Sequence, residues 1–314
     1  MKMKLGKEQW KAYIAVSVAA ILFGCSYSLG DIVEASGMSK TCNSFWTSIF
    51  AIALNLLFGA FTKKSPFQRI SGKQIGLCVL CGASATFLSN YLFLIAYSQG
   101  VPVAAATMLH FLHPAMIAVV MSVLFHERFS MAKLAAIICS LAAVILITGG
   151  GGVGGSPLGI LAALATGVAY GMYPLLLEVT TLRQVKGRTI LIYMHISCAV
   201  CAAAVSLLNS SFMAPVSLVV WGCDALLACL SFFAYLLSTY AVGIIGATNT
   251  SFAAMLEPVA SCLVAAIFLH QTLGLNVLFA GIMVLLSVFF CSRNGHQPEK
   301  NKTREEASGP REKA

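Results

Sequence analysis

The chain has 314 residues, 59% of them hydrophobic and 10% charged, with a formal net charge of +9. A soluble domain carries roughly 25% charged residues, so this composition excludes a water-soluble globule and reads as an integral membrane protein. Four lysines lie in residues 1–11 and six Lys/Arg in residues 292–314, a pattern that orients a chain in a bilayer and excludes nucleic acid as a partner.

A helix needs ~20 apolar residues to cross the hydrocarbon core, where the backbone must satisfy itself. Ten such runs are predicted: 12–31, 42–61, 74–97, 102–125, 131–149, 157–178, 189–208, 218–242, 247–269 and 274–292. The first follows a basic start and resembles a signal peptide. No small-residue cleavage site follows it, so it reads as a retained helix. The predicted fold is all-α, with residues 1–11 a basic cytoplasmic N-terminus and 293–314 a disordered cytoplasmic tail.

Loop charges give the orientation. With the N-terminus in the cytoplasm, the inside loops hold Lys63, Lys64, Arg69 and Lys73, then Arg128, then Arg183, Lys186 and Arg188. The outside loops 32–41, 98–101, 150–156, 209–217 and 270–273 hold only Lys40 among their Lys/Arg positions. That asymmetry predicts a plasma-membrane protein with both termini inside.

An internal repeat organises the chain. The stretch 102–133 reappears 144 residues later, with Pro258 on Pro114, His270 on His126, Glu257 on His113 and, upstream, Tyr235 on Tyr91. Each copy, 12–149 and 157–292, holds five helices. An odd number inverts the second copy relative to the first. The inside end Glu127-Arg128 becomes Gln271-Thr272 outside, losing its cation, as inversion requires. Two inverted five-helix repeats around a central cavity are the plan of a secondary transporter with a mid-membrane site.

The join, 150–156, is glycine-rich. Gly149, Gly151 and Gly154 match G-x-G-x-x-G in form. They follow an apolar helix rather than a strand, and no Lys-Ser/Thr follows, so the join reads as an outside linker and ATP is not expected as a partner. Eleven cysteines lie mostly in apolar runs. Cys78/Cys81 and Cys198/Cys201 have redox spacing but sit inside hydrophobic helices, so neither a metal nor a cofactor is expected.

Ionisable groups at bilayer depth are costly and point to function. Glu257 lies about 15 Å into its helix at ~1.5 Å per residue, near the midplane, where it can bind a substrate amine or carry a coupling proton. His113 is its repeat mate. His110 and Thr107 continue that face, which is expected to oppose Ser251, Ala254 and Glu257 across the cavity. Pro114 and Pro258 each free a carbonyl one turn back, at 110 and 254, and are candidate hinges. Tyr27, Asn90, Tyr91, Tyr97, Tyr173, His195, Tyr235, Tyr240 and Asn249 are second-rank lining residues. Asp31, Glu34, Glu178 and Asp224 lie near helix ends and read as interfacial charges.

Pro114 followed by Glu127-Arg128, Glu257-Pro258, and the box Phe23-Gly24-Cys25-Ser26-Tyr27 with its copy Tyr170-Gly171-Met172-Tyr173 resemble the EamA-type members of the drug/metabolite transporter superfamily. Gln271 departs from the pattern, which often ends its second copy in glutamate. The resemblance implies ten helices around a cavity and secondary transport of small metabolites, often export of amino acids or related compounds. The alternatives are an uncoupled facilitator or channel-like pore, for which no charged ring or filter loop is seen, and an intramembrane lipid-modifying enzyme. No clustered catalytic set supports the enzyme. The expected partners are a small-molecule substrate, membrane lipids and protons.

Overall fold

A computed structural model describes residues 6–124, 130–148, 154–268 and 275–292. Every regular element among them is helical. In chain order these are α1 (Lys7–Ala35), α2 (Lys40–Thr62), α3 (Gly72–Cys81), a π-helical segment (Gly82–Leu88), α4 (Ser89–Ser98), α5 (Val103–His110), α6 (His113–Leu124), α7 (Met131–Thr148), α8 (Pro157–Val179), a 3-10 turn (Thr181–Gln184), α9 (Gly187–Leu208), α10 (Leu218–Ala254), α11 (Leu256–Phe268) and α12 (Leu275–Ser292). Seven of the helical stretches are long and apolar enough to cross a membrane. The loops predicted at 126–130 and 270–273, and the tail 293–314, lie wholly or almost wholly outside the described residues.

The predicted helix over 102–125 is corrected to two helices. It stops at His110, turns through Phe111 and Leu112, and restarts at His113. The predicted division between 218–242 and 247–269 is present, because two helical runs of α10 meet in a kink at Gly246 (φ 80°, ψ 166°). The predicted helix 247–269 is corrected, since its first run stops at Ala254 and a turn at Met255 leads into α11. The cause is the same in both places. Pro114 and Pro258 have no N–H for the carbonyl four residues back, and each helix ends on that residue, His110 or Ala254.

The two breaks keep the sequence offset. Phe111 and Met255 are 144 residues apart, as are Pro102 and Gly246, which precede the short helical runs 103–110 and 247–254. Phe111 and Met255 share one apolar cluster with Ala143, Val144, Ala280 and Val284, where α7 and α12 pack side by side.

Several of the larger helix pairings have a counterpart when the halves are exchanged. α1 packs on α10 and α11, while α8 packs on α4, α5 and α6. α2 packs on its counterpart α9, and α7 on its counterpart α12. Glycines set the closest approaches. A Cβ on Gly24 would sit 2.8 Å from Ala260 Cβ and 2.9 Å from the Glu257 carbonyl, so this box residue seats α1 against the start of α11. Gly171 of α8 faces Ile117 and His113 of α6 more loosely, since a Cβ there would sit 3.4–3.7 Å from them. A Cβ on Gly82 would overlap the Met194 carbonyl of α9.

Connecting segments sort into two groups. At one end, Lys186 N–H donates to Gln68 Oε1 at 2.8 Å and Thr189 Oγ1 donates to the Pro66 carbonyl at 2.6 Å, joining the segments before α3 and α9. Arg188 there donates to Asn55 Oδ1 at 2.9 Å and to the Lys64 carbonyl at 3.0 Å. At the other end, Cys42 Sγ and Trp46 Nε1 both donate to the Met213 carbonyl, at 3.0 and 2.9 Å. Ser156 N–H donates to the Gln99 carbonyl at 3.0 Å. The two groups pair segments that charge counting assigned to the same side of the bilayer.

Candidate functional site

Each break delivers one ionisable side chain next to its proline. In the first copy, His113 opens α6 with 2% of its surface exposed and His110 closes α5 with 4%. His113 Nδ1 lies 3.2 Å from the His110 carbonyl, the acceptor that Pro114 leaves without a backbone donor. A carbonyl only accepts, so Nδ1 carries the hydrogen. His110 Nδ1 lies 3.1 Å from Thr166 Oγ1. That hydroxyl spends its own hydrogen on the Ala163 carbonyl at 2.6 Å, so His110 also donates from Nδ1. Both rings therefore keep Nε2 for another partner. Tyr170 stands 5.0 Å from each ring, and Phe93 lies 5.1 Å from His110.

In the second copy, Glu257 is 3% exposed and lies in the first turn of α11, where the helix dipole favours an acidic group. Its carbonyl meets Gly24 of α1, and its side chain is within electrostatic reach of Tyr235 on α10. Tyr235 is the centre of a ring cluster, with Phe23 at 5.0 Å, Tyr173 at 5.4 Å and His195 at 6.3 Å, all edge-on. His195 is 4% exposed, and neither ring nitrogen has a hydrogen-bond partner among the described residues. A buried imidazole N–H without an acceptor costs about 1–3 kcal/mol.

The Tyr173 hydroxyl bonds Thr239 and the Tyr235 carbonyl. Thr239 also lines a cleft of about 520 Å3 with Leu177, Arg183 and Tyr240. The cleft opens at the end that carries Arg183 and Lys186, not between His113 and Glu257. Its wall leads through Thr239 and Tyr173 to the Tyr235 cluster.

The sequence-derived candidates fall into three places. His110 and His113 gather with Thr166 and Tyr170. Glu257, Tyr235, Tyr173 and His195 form the second group. Asn90 and Tyr91 stand apart beside Lys40 and Phe87, and Tyr97 lies under Lys40 at 5.9 Å. Thr107 is half-buried and donates to the Val103 carbonyl, and the turn at 111–112 separates its helix from that of His113. Ser251 is buried, while Asn249 accepts from Cys291 Sγ at 2.8 Å and donates to the Ile245 carbonyl at 2.7 Å. The side chain of Tyr27 lies outside the described residues.

One acidic residue, Asp224, is corrected from the interfacial reading, while Glu178, half-buried at the end of α8, gains a partner. Glu178 Oε2 accepts the Ala247 N–H at 2.5 Å, so it caps the run that restarts after Gly246. Asp224 is fully buried, 0% exposed. Spacing along the chain did not reveal either role, because both partners are distant in sequence.

Residues 10–149 and 157–293 each match the model of the EamA-like transporter family. The chain belongs to the EamA-like transporter family. Its members are membrane transporters, and the chain is read as a multi-pass membrane protein of this kind. A solved structure, titled only as the crystal structure of a protein, shares its fold with a TM-score of 0.71 at 18% identity. It covers 90% of this chain and 98% of its own. No curated protein matches the chain.

Proposed function

We propose that this EamA-family chain is a secondary transporter that moves a small polar metabolite, an amino acid or related compound, out of the cell by alternating access. Ten membrane spans form two inverted five-helix halves in the plasma membrane, with both termini in the cytoplasm. The observation that carries the reading is the pair of matched helix breaks at Phe111 and Met255, each followed within three residues by a proline and a buried ionisable group. Broken helices at the junction of two repeats are where transporters hold their cargo, because freed backbone groups are tolerated only beside a cavity.

In this reading the cleft beside Arg183 opens to the cytoplasm. The segment 209–217, bonded to Cys42 and Trp46, closes the outer face. Substrate enters past Thr239 and Tyr173 toward Tyr235 and Glu257. His113 and His110, packed on α8 in this structure, form the opposite wall only when the halves move apart, and Pro114 and Pro258 mark the hinges. Glu257 holds the substrate amine in one half of the cycle and a coupling proton in the other.

The test is flux in proteoliposomes with and without an imposed pH gradient. Wild-type protein is expected to accumulate substrate against its gradient when protons flow, and Glu257→Gln to lose that accumulation at unchanged expression. Equal coupled flux in the variant sinks the carboxylate role. Wild-type flux indifferent to the pH gradient replaces proton coupling with uncoupled facilitation.

A further inference from the structure

Asp224 is a buried acid that the proposed pathway does not use. It lies about 9 Å along α10 from Leu218, at a rise of ~1.5 Å per residue, and is 0% exposed. Its Oδ1 has one long contact, 3.4 Å from Thr47 Oγ1 on α2. Its Oδ2 has no hydrogen-bond partner among the described residues. Thr47 Oγ1 is also 3.0 Å from Asn43 Oδ1, one turn earlier, and Asn43 is itself buried. Two acceptor oxygens, Asp224 Oδ1 and Asn43 Oδ1, thus share a single hydroxyl hydrogen, and the buried Asp224 Oδ2 has none. Lys40, the nearest lysine along α2, is already paired with Glu34 at 2.5 Å.

What this cluster lacks is positive charge. A buried carboxylate persists when it is paired or coordinates a cation. The rings beside the cluster exclude water from it. Trp221, one turn before Asp224, packs edge-on against Trp46 at 5.0 Å and Phe50 at 5.7 Å, beside Thr47. The segment 209–217 closes over this end through the Met213 carbonyl.

We propose that Asp224, Thr47 and Asn43 form a binding site for a singly charged cation, separate from Glu257. An ammonium group, which donates hydrogens to such oxygens, and Na+, which takes the same hard oxygens, share this chemistry. As a binding site it stands apart from the transport reading, since binding is measured without flux. If the chain is a transporter, the site lies on its outer side.

The experiment is thermal unfolding of the full purified chain in detergent at fixed pH and ionic strength, titrated with NaCl or methylammonium chloride against choline chloride. One of the two cations is expected to raise Tm saturably, and which one does so identifies the source. Asp224→Asn should abolish the shift. Thr47→Val, which leaves the carboxylate in place, should weaken the apparent affinity about tenfold and carries the test if Asp224→Asn does not fold. Glu257→Gln should keep the full shift, which separates this site from the proposed transport site. No cation-specific shift in the wild type overturns the proposal, as does a shift retained in both Asp224→Asn and Thr47→Val. A Tm that responds to acidification alone also overturns it, since the site then takes a proton only.

Discussion

Residues 103–124 and 247–268 are the same backbone event with different chemistry. In both, an eight-residue run ends one turn before a proline, and the chain restarts within two residues. The first copy mends its own break, because His113 Nδ1 donates to the carbonyl that Pro114 leaves open. An ionised Glu257 has no hydrogen to give the carbonyl of Ala254 in the same way. The starts differ too. Pro102 leads into α5 in an extended conformation (φ −59°, ψ 144°) with no side-chain cap. Gly246 takes φ 80°, and the run after it is capped by Glu178 from α8. The comparison teaches that proline placement fixes where the helices break, while the residue just before it decides whether the break is structural or chemical. The histidine copy is braced through His113, and in the proposed transport cycle the glutamate copy supplies the group that binds amine or proton.

Making the copies alike should have the largest effect. Glu257→His is expected to reduce substrate flux in proteoliposomes to the background of empty vesicles while the protein still elutes as a single species. Flux near wild type would mean that the asymmetry carries no function. Next in size is His113→Ala, which strips the His110 carbonyl of its donor and empties a buried ring site. A loss of about 3 kcal/mol is expected, read as a lower Tm in detergent, and His113→Asn, whose amide can reach the same carbonyl, should recover about 1 kcal/mol. Gly246→Ala places a Cβ at a φ that L-residues avoid and should cost about 2 kcal/mol. The matching Pro102→Ala should cost less, since its backbone angles suit most residues. The smallest effect is expected of Glu178→Gln, which keeps an acceptor for the Ala247 N–H but removes the charge from the helix start. About 1 kcal/mol is expected, and an unchanged Tm would remove Glu178 from the second copy's support.

Much of this was legible along the chain. The 144-residue offset from Pro114 to Pro258 survives to the residue in the breaks at Phe111 and Met255, because proline acts on its own helix and needs no partner. Lys and Arg placement grouped the connecting segments into two sets, and the contacts of Lys186 with Gln68 and of Ser156 with Gln99 join segments within those sets. The face Thr107–His110–His113 was less legible. Helical spacing assumes an unbroken helix, and the turn at 111–112 sends His110 and His113 onto Thr166 and Tyr170 of α8. The π-helical segment at Gly82–Leu88 gave no local signal either; it begins at Gly82, where Met194 approaches too closely for a Cβ.

Composition, loop charge and the repeat determined by themselves that this is a membrane protein of two like halves, and which two residues, His113 and Glu257, mark the departure from likeness. Those are properties of one segment at a time: hydrophobic length, a missing N–H, a cation kept or lost. Only the tertiary structure decided that His113 closes its own break, that Glu178 caps the other, and that Asp224 is sealed beside Thr47 and Asn43 rather than held in the interface. Each of those depends on which helices touch. That is set by small residues such as Gly24 and Gly82, whose close approaches bring together groups far apart in the chain.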